Sequence, residues 1–192
     1  MQLNTLLSRF HLHQSQASQA KGDETEAAVL VPLWQGEQHL EMFFMRRPRE
    51  AKHHPDQICF PGGKREARDI DLMETAIRET EEEFGLSRED LSIIGSLPAL
   101  KTRTGFYVQP YLAILNTISM NPDQREVADL FSLPVHEVLS ADRYRAEQIN
   151  LQGRHIEVFG TQSSKGLIWG MTAQVLINLI GQLATEQTKT SS

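Results

Sequence analysis

Apolar residues near the N-terminus fall at Leu3, Leu6, Leu7 and Phe10, the i, i+3, i+4, i+7 pattern of a short amphipathic helix. His11 to Glu26 is polar and reads as a loop. Ala27 to Leu33 is apolar and β-branched, as a central strand requires. Trp34 to Glu37 supplies a turn, and His39 to Met45 returns as its hairpin partner. A polar, locally basic loop follows, and Gln57 to Phe60 forms a short strand entering a Pro-Gly-Gly turn. Leu91 to Leu100 predicts a strand pair or a bent strand, with Gly95 and Pro98 marking the irregularity. Tyr107 to Asn116 is a further strand, and Pro110 within it points to an edge or a bulge. Pro122 to Phe131 reads as a polar loop or a turn of helix, and Leu133-Pro134 opens a short helix to Leu139. Gln148 to Phe159 makes two strands around Gln152-Gly153. Gly166 to Leu183 is the closing helix, and the polar tail 185–192 is expected to be disordered. No repeat or linker divides the chain. Residues 1–26 are an N-terminal helix and lead-in, and 27–184 form one domain. The mixed order of elements favours an α/β or α+β fold with a mixed sheet between helices.

The strongest pattern lies between Asp71 and Gly85. Asp71 is a good N-cap with Glu74 three residues on, and Gly85 stops the helix. Met73, Ala76, Ile77, Thr80 and Phe84 form the apolar stripe. Glu79, Glu82 and Glu83 stand at i, i+3, i+4 on a second face. Three carboxylates there repel one another, and a helix C-terminus is the wrong end for negative charge. Nothing local offsets that cost, whereas a bound cation would. Oxygen ligands at this spacing suit a hard ion, Mg²⁺ or Mn²⁺. Arg78 can pair with one carboxylate and hold it.

Charge sharpens this reading. Arg46 to Arg68 contains seven Lys or Arg and three acids, whereas Asp69 to Asp90 contains nine acids and two Arg. A basic stretch feeding an acidic one is what a metal-bridged polyphosphate site needs. The whole chain of 192 residues has a formal charge of -6, which argues against a general nucleic-acid binder. Its one cysteine, Cys59, excludes an intramolecular disulfide and gives no sign of an oxidising compartment. The N-terminus lacks a secretory pattern, and polar residues interrupt the apolar run from Gly166 to Ala184. A soluble cytoplasmic protein with no membrane partner is expected.

Arg78-Glu79-Thr80-Glu81-Glu82-Glu83-Phe84-Gly85-Leu86 resembles the second half of the Nudix hydrolase signature, Gx5Ex7REUxEExGU with U bulky and aliphatic. Thr80 departs from the aliphatic position. The first half is one residue long: counted from Gly63, Asp69 takes the place of the first Glu, and eight residues separate it from Arg78. The wider pattern, FFMRRP and then HHPDQICFPGG, looks like the branch that hydrolyses coenzyme A, with Asp56 where that branch usually has Gly. Thr104 to Val108 with Pro110, Glu126-Val127 with Leu133-Pro134, and Ile168 to Ala173 also look like this branch.

The resemblance implies an α/β/α sandwich with a mixed sheet, and attack of water on a diphosphate. It implies Glu79, Glu82 and Glu83 as ligands of Mg²⁺ or Mn²⁺, with the Gly63 carbonyl as a possible further ligand. Either Glu79 or Glu126 would take the proton of the attacking water. Arg46, Arg47, Lys64 and Arg65 are candidates to hold phosphates, with the 3′-phosphate of coenzyme A as the reason for extra cations. The products implied are 3′,5′-ADP and 4′-phosphopantetheine. Other nucleoside diphosphate derivatives, such as ADP-ribose or NADH, and a non-hydrolysing nucleotide sensor are the alternatives. His53 and His54 are adjacent and read as solvated loop residues, Cys59 as a buried structural thiol, and Trp169 and Phe106 as core. Lys101, Arg103 and Thr104 are placed at the substrate entrance.

Overall fold

The computed structural model describes residues 1–12, 22, 24–102, 104–151 and 153–184. Its centre is β1 (Thr25–Gln35). One edge of β1 runs parallel to β7 (Phe106–Leu115) along almost its whole length. The other edge is shared. Its C-terminal end pairs antiparallel with β2 (Leu40–Arg46), Leu33 opposite Met42, and its N-terminal end with β4 (Gly62–Lys64), Ala28 opposite Gly63. β3 (Ile58–Cys59) and β8 (Asp129–Pro134) flank β2, and β5 (Leu91–Ser96) and β6 (Leu100–Lys101) both pair with β7. A separate antiparallel sheet has the order β11 (Gly166–Trp169), β10 (Arg154–Ser163), β9 (Tyr144–Leu151).

Helices cover both faces of the main sheet. Ala27, Val29, Val31 and Leu33 of β1 join the core formed with α1 (Leu3–Leu12) and α4 (Gly170–Ala184). Ala28 and Leu30 point the other way, into the core formed with α2 (Leu72–Phe84). A strand covered on both faces reads as a continuous apolar run, which is why AAVLVPL shows no alternation. The fold is therefore a mixed sheet between helical layers, as expected.

Several elements differ from the sequence reading. The closing helix begins only at Gly170: Gly166 to Trp169 pairs with β10, Ile168 opposite Thr161. A short apolar run does not by itself separate strand from helix. Asp129 to Phe131 lies in β8, not in a loop, and α3 (Val135–Val138) starts after Pro134. β7 is an inner strand despite Pro110. The Pro110 carbonyl accepts the Leu97 N–H at 2.9 Å, so this residue's missing donor faces the break between β5 and β6, where the ladder is already interrupted. Most of the lead-in (13–21 and 23), Arg103, Gln152 and the tail 185–192 lie outside the described residues.

Candidate active site

The Asp71 side chain caps α2 by accepting the Glu74 N–H at 2.9 Å. The reciprocal half of a capping box does not form, because Glu74 meets Arg88 at 2.6 Å. Gly85 ends the helix with φ 65°. Thr80 is fully buried, and its hydroxyl donates to the Ala76 carbonyl at 2.7 Å. The departure from an aliphatic residue is thus satisfied within the helix.

The glycine turn lies flat between β1 and α2. A Cβ at Gly62 would run into the Ala28 carbonyl, and one at Gly63 would occupy the place of the Glu79 carboxylate. The absence of both lets the acids of α2 come against bare backbone. The Gly62 N–H donates to Glu83 Oε2 at 2.8 Å.

Two buried carboxylates sit at opposite ends of this arrangement. Asp69 receives Arg78 as a fork, Nε to Oδ1 at 2.9 Å and Nη2 to Oδ2 at 3.0 Å. Thr75 Oγ1 and the Glu66 N–H also donate to it, each at 2.9 Å. The Arg78 bonds hold the Asp69 carboxyl well below the usual carboxylate range, and the Arg78 guanidinium is correspondingly stabilised in its charged form. The same guanidinium reaches Glu79 Oε1 at 2.9 Å, Glu82 Oε2 at 3.2 Å and the Lys64 carbonyl at 3.1 Å. The expectation that nothing local offsets the helix acids is therefore corrected. Arg78 partly compensates Glu79 and Glu82, because its side chain lies back along the helix toward Asp69.

Glu83 is different. It is 1% exposed, and burial pushes its carboxyl up to about 8 against the opposing Gly62 hydrogen bond, with the Glu79 charge adding to the rise. Burial also raises Glu79, although Arg78 counteracts it. Glu126 is exposed, but its charge acts on both Glu79 and Glu83. Its loop is docked onto the end of α2, where Asn121 N–H donates to Phe84 O at 3.0 Å and Asp123 N–H to Glu83 O at 3.2 Å. These bonds fill carbonyls that the last helical turn leaves free. Among the described residues, no three His, Cys, Asp or Glu side chains are gathered as a ready ligand set. Glu82 is instead half exposed and turned toward Arg68 and Arg78.

The expected phosphate-holding cations mostly have protein partners. Arg46 Nη1 and Nη2 donate to the carbonyls of Asp56 and Lys165. Arg47 lies near enough to Cys59 and Glu83 for its charge to act on both, and its Nε is buried without a hydrogen-bond partner among the described residues. Arg65 pairs with Glu26 at 2.8 Å and donates to Ile70 O at 2.9 Å. Lys64 Nζ sits 5.2 Å from the Phe106 ring centroid. The Cys59 thiol is pushed up to about 12 by burial, which fits an inert structural thiol. His53 and His54 are exposed. Lys101 pairs with Glu24 at 2.5 Å, and Thr104 shares a hydrogen bond with Thr102 at 3.0 Å. Phe106 packs at the core margin, and Trp169 is half-buried beside a groove between β10 and α4. His54 and Asp56 both have positive φ, 54° and 60°. Glycine adopts such a conformation without steric cost, in keeping with the glycine that the resemblance implies for the Asp56 position. The fork between Asp69 and Arg78, nine residues apart, and the inward turn of Arg47 were not read from sequence, since no local period encodes them.

The NUDIX domain pattern matches residues 24–152. A protein of Yersinia enterocolitica, named an uncharacterized Nudix hydrolase NudL, is 32% identical over 182 residues, spanning 94% of this chain and 93% of that protein. Its namesake in Enterobacter sp. is 34% identical and spans 94% of each chain. Among solved structures, a NUDIX hydrolase from Alicyclobacillus acidocaldarius has a TM-score of 0.55, covering 84% of this chain and 93% of that one at 17% identity. A C. elegans Ap4A hydrolase has a TM-score of 0.51 over 59% of this chain and 83% of its own, at 23% identity. These structures share the fold, a mixed sheet flanked by helices. The domain match covers well over half of the chain and contains both the glycine turn and the glutamate helix, so the chain belongs to the Nudix hydrolase family.

Proposed function

We propose that this protein is a metal-dependent diphosphatase that cleaves coenzyme A and its derivatives to 3′,5′-ADP and 4′-phosphopantetheine or its acyl form. The observation that carries the chemistry is the contact of Gly62 and Gly63 with Glu83 and Glu79. It brings the buried Glu83 carboxyl and the neighbouring Glu79 carboxylate against one bare backbone turn, with Glu82 one helical turn from Glu79. The donor set is all oxygen, which fits Mg²⁺ or Mn²⁺. Glu79, Glu82 and Glu83, with the Gly63 carbonyl, would hold the ion. When bound, it supplies Lewis-acid stabilisation of the diphosphate and a more acidic water. Arg78 orients the Glu79 and Glu82 carboxylates, and Glu79 or Glu126 takes the proton of the attacking water. The coenzyme A assignment is supported by the lengthened signature and the approach HHPDQICFPGG. The proposed partner is this small molecule, with no nucleic acid or membrane, in the cytoplasm. Among the described residues no helix is long and apolar enough to cross a membrane.

A second reading, hydrolysis of another nucleoside diphosphate derivative, is favoured by one observation. Arg46 and Arg65 are engaged within the protein, which weakens the case for a dedicated 3′-phosphate pocket. Incubation with coenzyme A, ADP-ribose and NADH in Mg²⁺ or Mn²⁺ separates the two. Release of 3′,5′-ADP is expected, and cleavage of only the other substrates would overturn the coenzyme A assignment. Tight binding without turnover in either metal would make the protein a sensor.

A further inference from the structure

Arg46 stands where three segments meet. Its backbone carbonyl accepts the Ala128 N–H at 2.9 Å, which anchors the loop carrying Glu126. Its side chain spans two other segments, with Nη1 to the Asp56 carbonyl at 3.3 Å and Nη2 to the Lys165 carbonyl at 2.5 Å. Nη1 also lies 3.6 Å from the Asp56 carboxylate.

The turn between β10 and β11 is fixed without Arg46. Ser163 Oγ donates to Gly166 O at 2.7 Å, and Glu137 accepts the Ser164 N–H at 2.5 Å. The loop between β2 and β3 is held less firmly at its far end. Its base is closed by Arg47 N–H to Gln57 O at 3.0 Å, and Ala51 N–H reaches Pro48 O at 3.1 Å, but the bonds at the non-glycine residues of positive φ, Asp56 N–H to Pro48 O and Gln57 N–H to His54 O, are long at 3.4 Å. Such a conformation persists only where surrounding contacts over-determine it. A guanidinium has the fork geometry to bridge two separate carbonyls, whereas a lysine ammonium is a single point.

We propose that Arg46 is a positioning residue: it ties the loop 47–57 to the pre-fixed β10–β11 turn, and so sets the wall beside the acid cluster without contacting a substrate phosphate. The loop meets the cluster at Arg47, which acts on Glu83, and the Arg46 backbone from which it starts holds Ala128, which follows the Glu126 loop.

Two measurements test this. The first is amide hydrogen exchange on the full chain for the wild type, Arg46→Gln and Arg46→Lys. Both Arg46 variants should speed exchange across 47–57 by about 10-fold or more while the β1 and α2 amides stay protected. Wild-type protection in Arg46→Lys would overturn the proposal, and this conservative variant decides the test if Arg46→Gln fails to fold. The second is turnover of coenzyme A against 3′-dephospho-coenzyme A, which rests on the proposed diphosphatase reading. A positioning role predicts that kcat/KM falls about 10- to 100-fold for both substrates, with no rescue by Arg46→Lys. A loss confined to KM for coenzyme A and rescued by lysine would make Arg46 a phosphate ligand. If neither compound is cleaved by the wild type, the coenzyme A assignment fails, while the exchange result still decides the role of Arg46.

Discussion

Asp69 and Glu83 are both buried carboxylates against α2, and they are treated in opposite ways. Asp69 has a forked guanidinium, a hydroxyl and a backbone N–H, and its charge is secured. Glu83 has one backbone N–H from Gly62, more acids nearby, and a carboxyl pushed up to about 8. A buried charge is tolerated when it is paired and hydrogen-bonded. Asp69 meets that condition within the chain, and Glu83 does not. The first end of the arrangement is built to hold shape, and the second keeps a carboxyl whose charge the chain does not secure. Arg78 links them, since it secures Asp69 while reaching Glu79 and Glu82.

The largest expected effect comes from removing the Glu83 carboxylate, a proposed ligand of the metal. Glu83→Gln should lower kcat by orders of magnitude while far-UV circular dichroism and the unfolding transition remain cooperative. Wild-type turnover in that variant would remove Glu83 from the metal set. Next in size is Arg78→Ala, which strands Asp69 as an unpaired buried charge. Breaking a buried pair in this way costs about 3–5 kcal/mol, read as a lower midpoint in urea unfolding. A change of under about 1 kcal/mol would mean that Asp69 does not depend on Arg78.

The pH dependence of metal-free protein separates the two carboxylates further. The folded-state value of Glu83 is raised from 4.5 to about 8, so the folded protein binds this proton more tightly than the unfolded chain. Its contribution is complete below 4.5 and is lost as pH rises through about 8. Asp69 is lowered from 3.8, so its contribution is present above that value and is lost as pH falls further. Thermal midpoints in chelator should therefore decline on both sides. Glu83→Gln should flatten the alkaline limb, Asp69→Asn the acid one. Added Mg²⁺ or Mn²⁺ should raise the midpoint more at pH 8 than at pH 5, since the ion binds the deprotonated carboxylates. The smallest effect is at Thr80→Val, which exchanges a self-satisfied buried hydroxyl for a methyl group. It should leave turnover unchanged and move stability by no more than about 1 kcal/mol, toward the more stable side. A larger loss in differential scanning calorimetry would show that the Thr80 hydroxyl carries more than its bond to Ala76.

The readings that came through best are those written in a short local code. Helix α2, its Asp71 cap, its Gly85 stop and its apolar stripe all follow from spacing along one element. The same holds for β1 and its hairpin with β2. The weaker readings concern short apolar runs whose partner is distant. Gly166 to Trp169 becomes a strand because β10 lies beside it, and Pro110 is accepted in an inner strand because the neighbouring ladder is broken there.

By itself, the sequence determined the chemistry-bearing types and their spacing: Gly62-Gly63, Arg78, and the acids at Glu79, Glu82 and Glu83. Helical periodicity places those acids within one turn of each other whatever the rest of the chain does. Only the tertiary structure decided which of them is buried, which is paired, and what the surrounding cations do. Burial and pairing depend on segments far apart in the chain, since the Gly62 turn covers Glu83 and the Lys165 carbonyl takes Arg46. Residue type and spacing say only that a carboxylate is present. Whether it is already neutralised by the protein or still requires a partner is set by the dielectric and the donors that folding brings to it.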